Sequence, residues 1–237
     1  MSKAVRLRVA SYNIHKAVGV DGRRDADRII TVLRETQADI IALQEADLRF
    51  GTRAAVLPRR LLDDTPWQVV PVARRAQSMG WHGNALLARR DMEVLDSEAL
   101  HLPTLEPRGA VRADLLCEGA RLRIVGTHLD LSGLRRRDQI RAMLSHCDDC
   151  DDDTATLIVG DFNQWGRTRG AMSEFGPDWT DLHPGASFPS RRPVAPLDRI
   201  VASRHWTCEE ARVHHSAKAA QASDHLPIWA DLTLPKI

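Results

Sequence analysis

"LIVGDFNQW" (residues 157–165) decides the reading of this chain. The apolar run through Val159 reads as a buried strand, yet it ends by presenting Gly160, Asp161, Phe162 and Asn163. Side chains two apart on a strand share a face. Asp161 and Asn163 are therefore expected to converge on one point just past the strand's end. A carboxylate and an amide aimed together from the mouth of a core strand read as a site rather than a turn.

On either side of this stretch, the other apolar runs meet polar residues in the same way. "LRVASYNI" (7–14) carries Asn13 at its end, "ADIIALQEAD" (38–47) carries Glu45, and "ARLRIVGTHLD" (120–130) carries His128 and Asp130. "LDRIVAS" (197–203) opens on Asp198, and Asp224 with His225 stand directly before "LPIWADLTL" (226–234). Each has an ordinary explanation when taken singly: a Glu beginning a loop, a turn-forming Asn, a structural His, an Asp-His pair shaping a bend. What these explanations leave out is the recurrence, because ends of rigid strands are where polar sites are built.

Between these runs, "DADRIITVLRETQ" (25–37) has Ile29, Ile30 and Leu33 on one face of a helix, and "GLRRRDQIRAMLSHC" (133–147) reads as a second helix. Residues 53–64 read as a short helix, and 67–74, 83–90, 92–102, 109–117 and 205–215 as further strands. The Gly- and Pro-rich span 164–196 reads as irregular. With no linker, repeat or low-complexity tract, residues 1–237 form one expected domain. Two strand–helix–strand units beside many adjacent strands predict an α+β fold of two packed sheets flanked by helices.

Bulk properties narrow the function. The 237 residues carry a formal net charge of only +1, with 43% hydrophobic and 27% charged residues. Any attraction to a polyanion must therefore be local rather than global. No stretch approaches the roughly 18 apolar residues of a membrane span, and the start has no secretory signal pattern, so a cytoplasmic location is expected. Four cysteines make no disulfide framework. Cys147 and Cys150 form a CxxC within "HCDDCDDD", expected to be an acidic, solvated loop after a helix, with a metal or redox pair as the less favoured reading.

The polar set is rich in oxygen: Glu45, Asp161, Asn163 and Asn13, with no suitable Cys. That chemistry suits a hard cation, Mg²⁺ or Mn²⁺, which keeps positions open for water and phosphate. Histidines and further aspartates can then act as acid, base or phosphate clamp. The equipment is that of metal-assisted phosphate-ester hydrolysis.

"SYNIHK", "IIALQEAD", "GTHLD", "VGDFN", "LDRI" and "SDHLP", in this order, resemble the signature set of the endonuclease/exonuclease/phosphatase superfamily, with its deoxyribonuclease-I-like fold. The match runs from residue 8 to about 230. It implies a four-layer αββα sandwich. It further implies Glu45 as principal metal ligand, assisted by Asn13, with Asp224 as a second carboxylate for metal. Asp161 and Asn163 would orient the attacking water and the phosphate. His225 resembles the catalytic histidine, held by Asp198, and His128 a second histidine that is a candidate acid for the leaving oxygen. Asn13 and Arg108 would contact the substrate phosphate, Arg112 lying close enough to Arg108 to compete for that alignment.

The resemblance implies a metal-dependent phosphodiesterase acting on DNA, RNA, a nucleotide or a phospholipid headgroup, a nuclease among the options, with no obligate protein partner evident. A phosphomonoesterase and an inactive phospho-ligand-binding member are the alternatives. Trp81, Trp165 and Trp179 lie in predicted loops, where they either stack a base or simply pack.

Overall fold

In the computed structural model, residues 4–104, 108–150, 153–166 and 170–235 are described. Among them, β1 (Val5–Asn13), β2 (Ile40–Gln44), β3 (Trp67–Val69), β4 (Ala85–Arg89), β11 (Thr207–Val213) and β12 (Ile228–Leu234) form one sheet, ordered β11-β12-β1-β2-β4-β3. A second sheet has the order β5-β6-β7-β8-β10-β9. Its strands are β5 (Glu93–His101), β6 (Gly109–Cys117), β7 (Ala120–His128), β8 (Ala155–Asp161), β9 (Trp179–Asp181) and β10 (Asp198–Ser203). β1 and β2 run parallel, as do β7 and β8; the remaining pairings are antiparallel.

Burial on both faces explains why the central strands read as unbroken apolar runs. Leu157 and Val159 of β8 point into the core between the sheets, whereas Ile158 points to the outer core under a helix. Ile40 and Ala42 of β2 likewise face the inter-sheet core, and Ile41 and Leu43 the opposite side. The first sheet is covered outside by α1 (Ala26–Thr36), α2 (Arg59–Asp63) and α4 (Ala219–Ala222), through Ile29, Leu33, Leu62 and Ala219. The second is covered by α3 (Gly133–Asp149) and a 3-10 turn (Gly170–Glu174), through Ile140, Met143 and Met172. The result is the expected four-layer αββα sandwich.

The local chemistry is consistent with these elements. α1 starts because the Asp25 side chain accepts the N–H of Arg28 at 3.0 Å, and it stops where Gln37 turns left-handed at φ 53°. α3 includes Cys147, as the helix expected over 133–147 does, and continues two residues into the acidic stretch expected to be loop, ending at Asp149 with Cys147 buried. Burial pushes its thiol up to about 12, an unreactive setting, and Cys150 donates to the carbonyl of His146.

Three features departed from the expectation. Residues 53–64 supply only the five-residue α2, and β9 and α4 arise where no element was predicted. Both are too short to leave a periodic signal. Among the described residues, no helix is long and apolar enough to cross a membrane.

Candidate active site

The strand directions bring the polar residues to one end of the sandwich. β1, β7 and β8 end on Asn13, His128 and Asp161; β10 begins on Asp198, opposite Asp161 in register. Asn13 donates from Nδ2 to Asp161 Oδ2 at 3.0 Å, which ties the two sheets together at that end. The same oxygen lies 3.4 Å from His128 Nε2 and 3.7 Å from His225 Nε2. Three nitrogen-bearing side chains therefore converge on one carboxylate oxygen, and all four residues are buried.

Gly160 makes this geometry possible. It pairs with Thr127 across the parallel β7–β8 ladder, and a Cβ at residue 160 would lie 1.9 Å from the Thr127 carbonyl oxygen. Its φ of 154° is open to glycine and costly to other residues.

Asn163 reaches the site differently from the strand-alternation argument. β8 ends at Asp161, and Asn163 is left-handed at φ 49°. Its N–H donates to Asp161 Oδ1 at 2.9 Å, an Asx turn, while its Nδ2 donates to the Leu129 carbonyl at 2.9 Å. Side-chain hydrogen bonding, not the pleat, places the amide beside the carboxylate.

The two histidines are pushed in opposite directions by their surroundings. His225 Nδ1 lies 2.8 Å from Asp198 Oδ2, which also accepts the hydroxyl of Ser187. Burial lowers the His225 pKa, but the Asp198 and Asp161 charges outweigh it and raise the ring to about 10. For His128 burial prevails: despite Asp161, and helped by Arg108, its pKa falls to about 3. The neighbouring imidazoles are pushed in opposite directions, His225 toward its cation and His128 toward its neutral form, each with Nε2 within 3.7 Å of Asp161 Oδ2.

Glu45 follows β2 at φ 55° and lines a cleft of about 70 Å³ with Lys16, His82, Arg108 and His128. Its carboxylate is paired with the Lys16 ammonium. Lys16 belongs to a left-handed turn in which His15, Lys16 and Ala17 have φ of 46°, 55° and 60°. Such conformations cost non-glycine residues of order 1 kcal/mol each and concentrate at functional sites.

Asp224 directly precedes His225, its Oδ1 3.8 Å from His15 Nδ1 and 3.3 Å from the Ser223 hydroxyl. Ser223 also donates to the Asn13 carbonyl at 2.7 Å. Asp130 acts on the backbone instead, where its Oδ1 accepts the Ser132 N–H at 2.9 Å ahead of α3.

Sequence reasoning thus missed Lys16, Ser187 and Ser223. Lys16 and Ser223 were visible inside "SYNIHK" and "SDHLP", whereas Ser187 sits in an irregular span with no pattern to mark it. Of the three tryptophans, Trp81 is half-buried with its ring 5.0 Å from that of His101, Trp179 lies in β9, and Trp165 is exposed.

The donor set fits a hard divalent cation: oxygen ligands dominate, and a cationic ammonium already stands against Glu45. Asp161, Asp198 and His225 also offer ligand atoms within 4.8 Å of one another. A cation among those three would displace the Asp198–His225 hydrogen bond, so the Glu45 side of the cleft is the better match.

Comparison with known proteins shows the family and the fold. The model of the endonuclease/exonuclease/phosphatase family matches residues 10–225. The chain belongs to that family. Members of the endonuclease/exonuclease/phosphatase family are phosphoric ester hydrolases. The chain is 26% identical over 248 residues to the uncharacterized protein YbhP of Escherichia coli K12, covering 96% of each. In fold it is similar to an endonuclease/exonuclease/phosphatase from Bacteroides vulgatus, with a TM-score of 0.77 at 19% identity over 98% of this chain and 100% of that one. It is also similar to the human Nocturnin catalytic domain with bound sulfate, with a TM-score of 0.74 at 21% identity over 98% and 97%.

Proposed function

We propose that this protein is a divalent-metal-dependent phosphodiesterase that hydrolyses a nucleic-acid or phospholipid-type diester by attack of water. The observation that carries the reading is the convergence of Asn13, His128 and His225 on Asp161, with His225 anchored by Asp198. Asn13 Nδ2 bonds the Asp161 carboxylate at 3.0 Å, while the His128 and His225 Nε2 atoms stand 3.4 and 3.7 Å from it. An N–H there can turn to a phosphoryl oxygen seated beside Asp161 as that oxygen gains negative charge in the transition state.

The assigned roles follow from position. Asp161 and Asn163 orient the water and the scissile phosphate. Asp198 fixes the His225 ring so that Nε2 faces the reacting group, and it stabilises the imidazolium. A charged His225 gives a hydrogen bond, or its proton, to an ester oxygen. Neutral His128 donates a hydrogen bond from the other side. Arg108 and Lys16 bring positive charge to the same cleft. Glu45, with Asn13 and Asp224, would hold the Mg²⁺ or Mn²⁺, which supplies charge neutralisation and lowers the pKa of water.

The amount of positive charge in the cleft also suits a phosphomonoester dianion, so a phosphatase is the second reading. Hydrolysis of bis-p-nitrophenyl phosphate and p-nitrophenyl phosphate with Mg²⁺, Mn²⁺ or chelator, beside His225→Ala, distinguishes them. The proposal expects metal-dependent cleavage of the diester that His225→Ala abolishes. Preference for the monoester would establish the phosphatase, and chelator-resistant turnover would remove the metal.

A further inference from the structure

One wall of the Glu45 cleft is built by residues that the reaction at Asp161 leaves unused. Arg53 and His82 line that cleft together with Glu45, Arg108 and His128. His82 stands in a tight turn closed by reciprocal hydrogen bonds. The Trp81 N–H bonds the Asn84 carbonyl at 2.8 Å, and the Asn84 N–H bonds the Trp81 carbonyl at 2.9 Å. Its two central residues, His82 at φ 50° and Gly83 at φ 83°, are both left-handed. Asn and Gly suit such a turn, so a histidine there is kept against backbone preference.

The turn is fixed to the site on two sides. The Gly83 carbonyl accepts the N–H of Ala46, the residue after Glu45, at 2.8 Å. Asn84 Nδ2 donates to the Gly109 carbonyl at 2.9 Å, and Gly109 is the register partner of His128. The Trp81 ring fills the space over Gly109, where a Cβ would lie 2.8 Å from it. The same ring meets that of His82 in a T-shaped contact with centroids 4.3 Å apart. His82 is therefore held rigidly with respect to both Glu45 and His128.

Hydrogen bonding then fixes the ring's proton. Arg53 Nη1 lies 3.0 Å from His82 Nδ1. A guanidinium only donates, so Nδ1 accepts and the ring is neutral, with its hydrogen on Nε2. Burial, with Arg53, His101 and Arg75 around it, works the same way and lowers the His82 pKa to about 4. Among the described residues no group accepts from that Nε2–H, and no carboxylate pairs with the Arg53 guanidinium. The acids of the cleft are already engaged. Glu45 pairs with Lys16, and Asp47 accepts the Ser78 hydroxyl and the N–H groups of Met79 (2.7 Å) and Gly80 (3.3 Å).

We propose that Arg53 and His82 form a specificity subsite for a second anionic group of the substrate, a phosphate or carboxylate carried beyond the scissile phosphate. Arg53 supplies positive charge and its remaining N–H groups, and His82 adds a fixed neutral donor from Nε2. Charge-assisted hydrogen bonds of this kind are the strong ones, whereas an uncharged substituent would draw nothing from the Arg53 charge. The inference rests on the phosphodiesterase reading for the place of the scissile phosphate.

Calorimetric titration in excess Mg²⁺ tests it, with three probes: propyl phosphate, the bisphosphate of trimethylene glycol and the phosphate ester of hydroxypropionate. Wild type is expected to bind at least one of the doubly anionic probes about tenfold more tightly than propyl phosphate, and the tighter of the two names the group. Arg53→Met, and His82→Gly, which the turn accepts, should each reduce that preference by about threefold or more. The affinity for propyl phosphate is the reference within each protein, so a general loss of binding leaves the ratio unmoved. No preference in wild type, or an unchanged preference in both variants, overturns the proposal; an unchanged preference in one removes that residue from the subsite. The preference without turnover of bis-p-nitrophenyl phosphate would uphold the subsite and refute the phosphodiesterase reading, and turnover without the preference would do the reverse.

Discussion

Gly160→Ala is the smallest change that tests whether backbone packing sets the site. The added Cβ would meet the Thr127 carbonyl oxygen at 1.9 Å, its carbon at 2.8 Å and the Thr127 nitrogen at 3.0 Å. All three are backbone atoms of the neighbouring strand, so no side chain can swing aside. Ordinary contact begins near 3.4 Å, so β7 and β8 must separate locally by about 1.5 Å. That stretch would break one or two ladder hydrogen bonds at about 1 kcal/mol each. Holding alanine at φ 154° adds about 1–3 kcal/mol. The expected loss is roughly 2–5 kcal/mol, or about 10 °C in Tm for a chain of this size. His128 and Asp161 are the next register pair, so the displacement passes directly to the site. A shift of about 1 Å there should lower turnover about 100-fold. Calorimetry and diester kinetics on the purified variant check both. A Tm within 3 °C of wild type together with turnover within threefold would refute the claim that strand packing positions Asp161.

Two further substitutions probe the chemistry. Asp198→Asn should cost about 10²–10⁴ in turnover, as in other carboxylate–histidine pairs. It should also lower the His225 pKa. In the wild type that folded-state pKa is raised to about 10, so its contribution to stability is complete below about pH 6.5 and is lost as pH rises toward 10. NMR titration should show a wild-type imidazolium through pH 8 and a clearly lower His225 pKa in Asp198→Asn, where burial is opposed only by the Asp161 and Asp224 charges. Glu45→Gln should weaken Mg²⁺ or Mn²⁺ binding by calorimetry at least tenfold with Tm unchanged; wild-type affinity would remove Glu45 from the metal.

The sandwich was legible because its central strands are buried on both faces. Leu157, Ile158 and Val159 feed two different cores, which demands an unbroken apolar run, and nothing short of burial permits one. The residues at the ends of those strands were legible for the same reason, since a carboxylate or imidazole closing such a run has no partner nearby in sequence. What escaped depended on backbone turns and distant contacts. Asn163 owes its position to a left-handed Asx turn rather than to strand alternation. Lys16 meets Glu45 across 29 residues through three successive left-handed residues that no propensity favours. Ser187 reaches Asp198 from a span whose Gly and Pro content carries no periodicity. Asp148 and Asp149 read as loop because they are polar, yet the helix that buries Cys147 carries on through them.

Asp161 is the residue on which the account turns, since Asn13, Asn163, His128 and His225 are all arranged about it. The most direct measurement is kcat/KM for bis-p-nitrophenyl phosphate in wild type and Asp161→Asn, with saturating Mg²⁺ and matched thermal stability. A fall of about 10³ or more is the predicted result, within the range seen when a catalytic unit loses a member. Activity within tenfold of wild type would show that the convergence at Asp161 is structural and that hydrolysis takes place elsewhere.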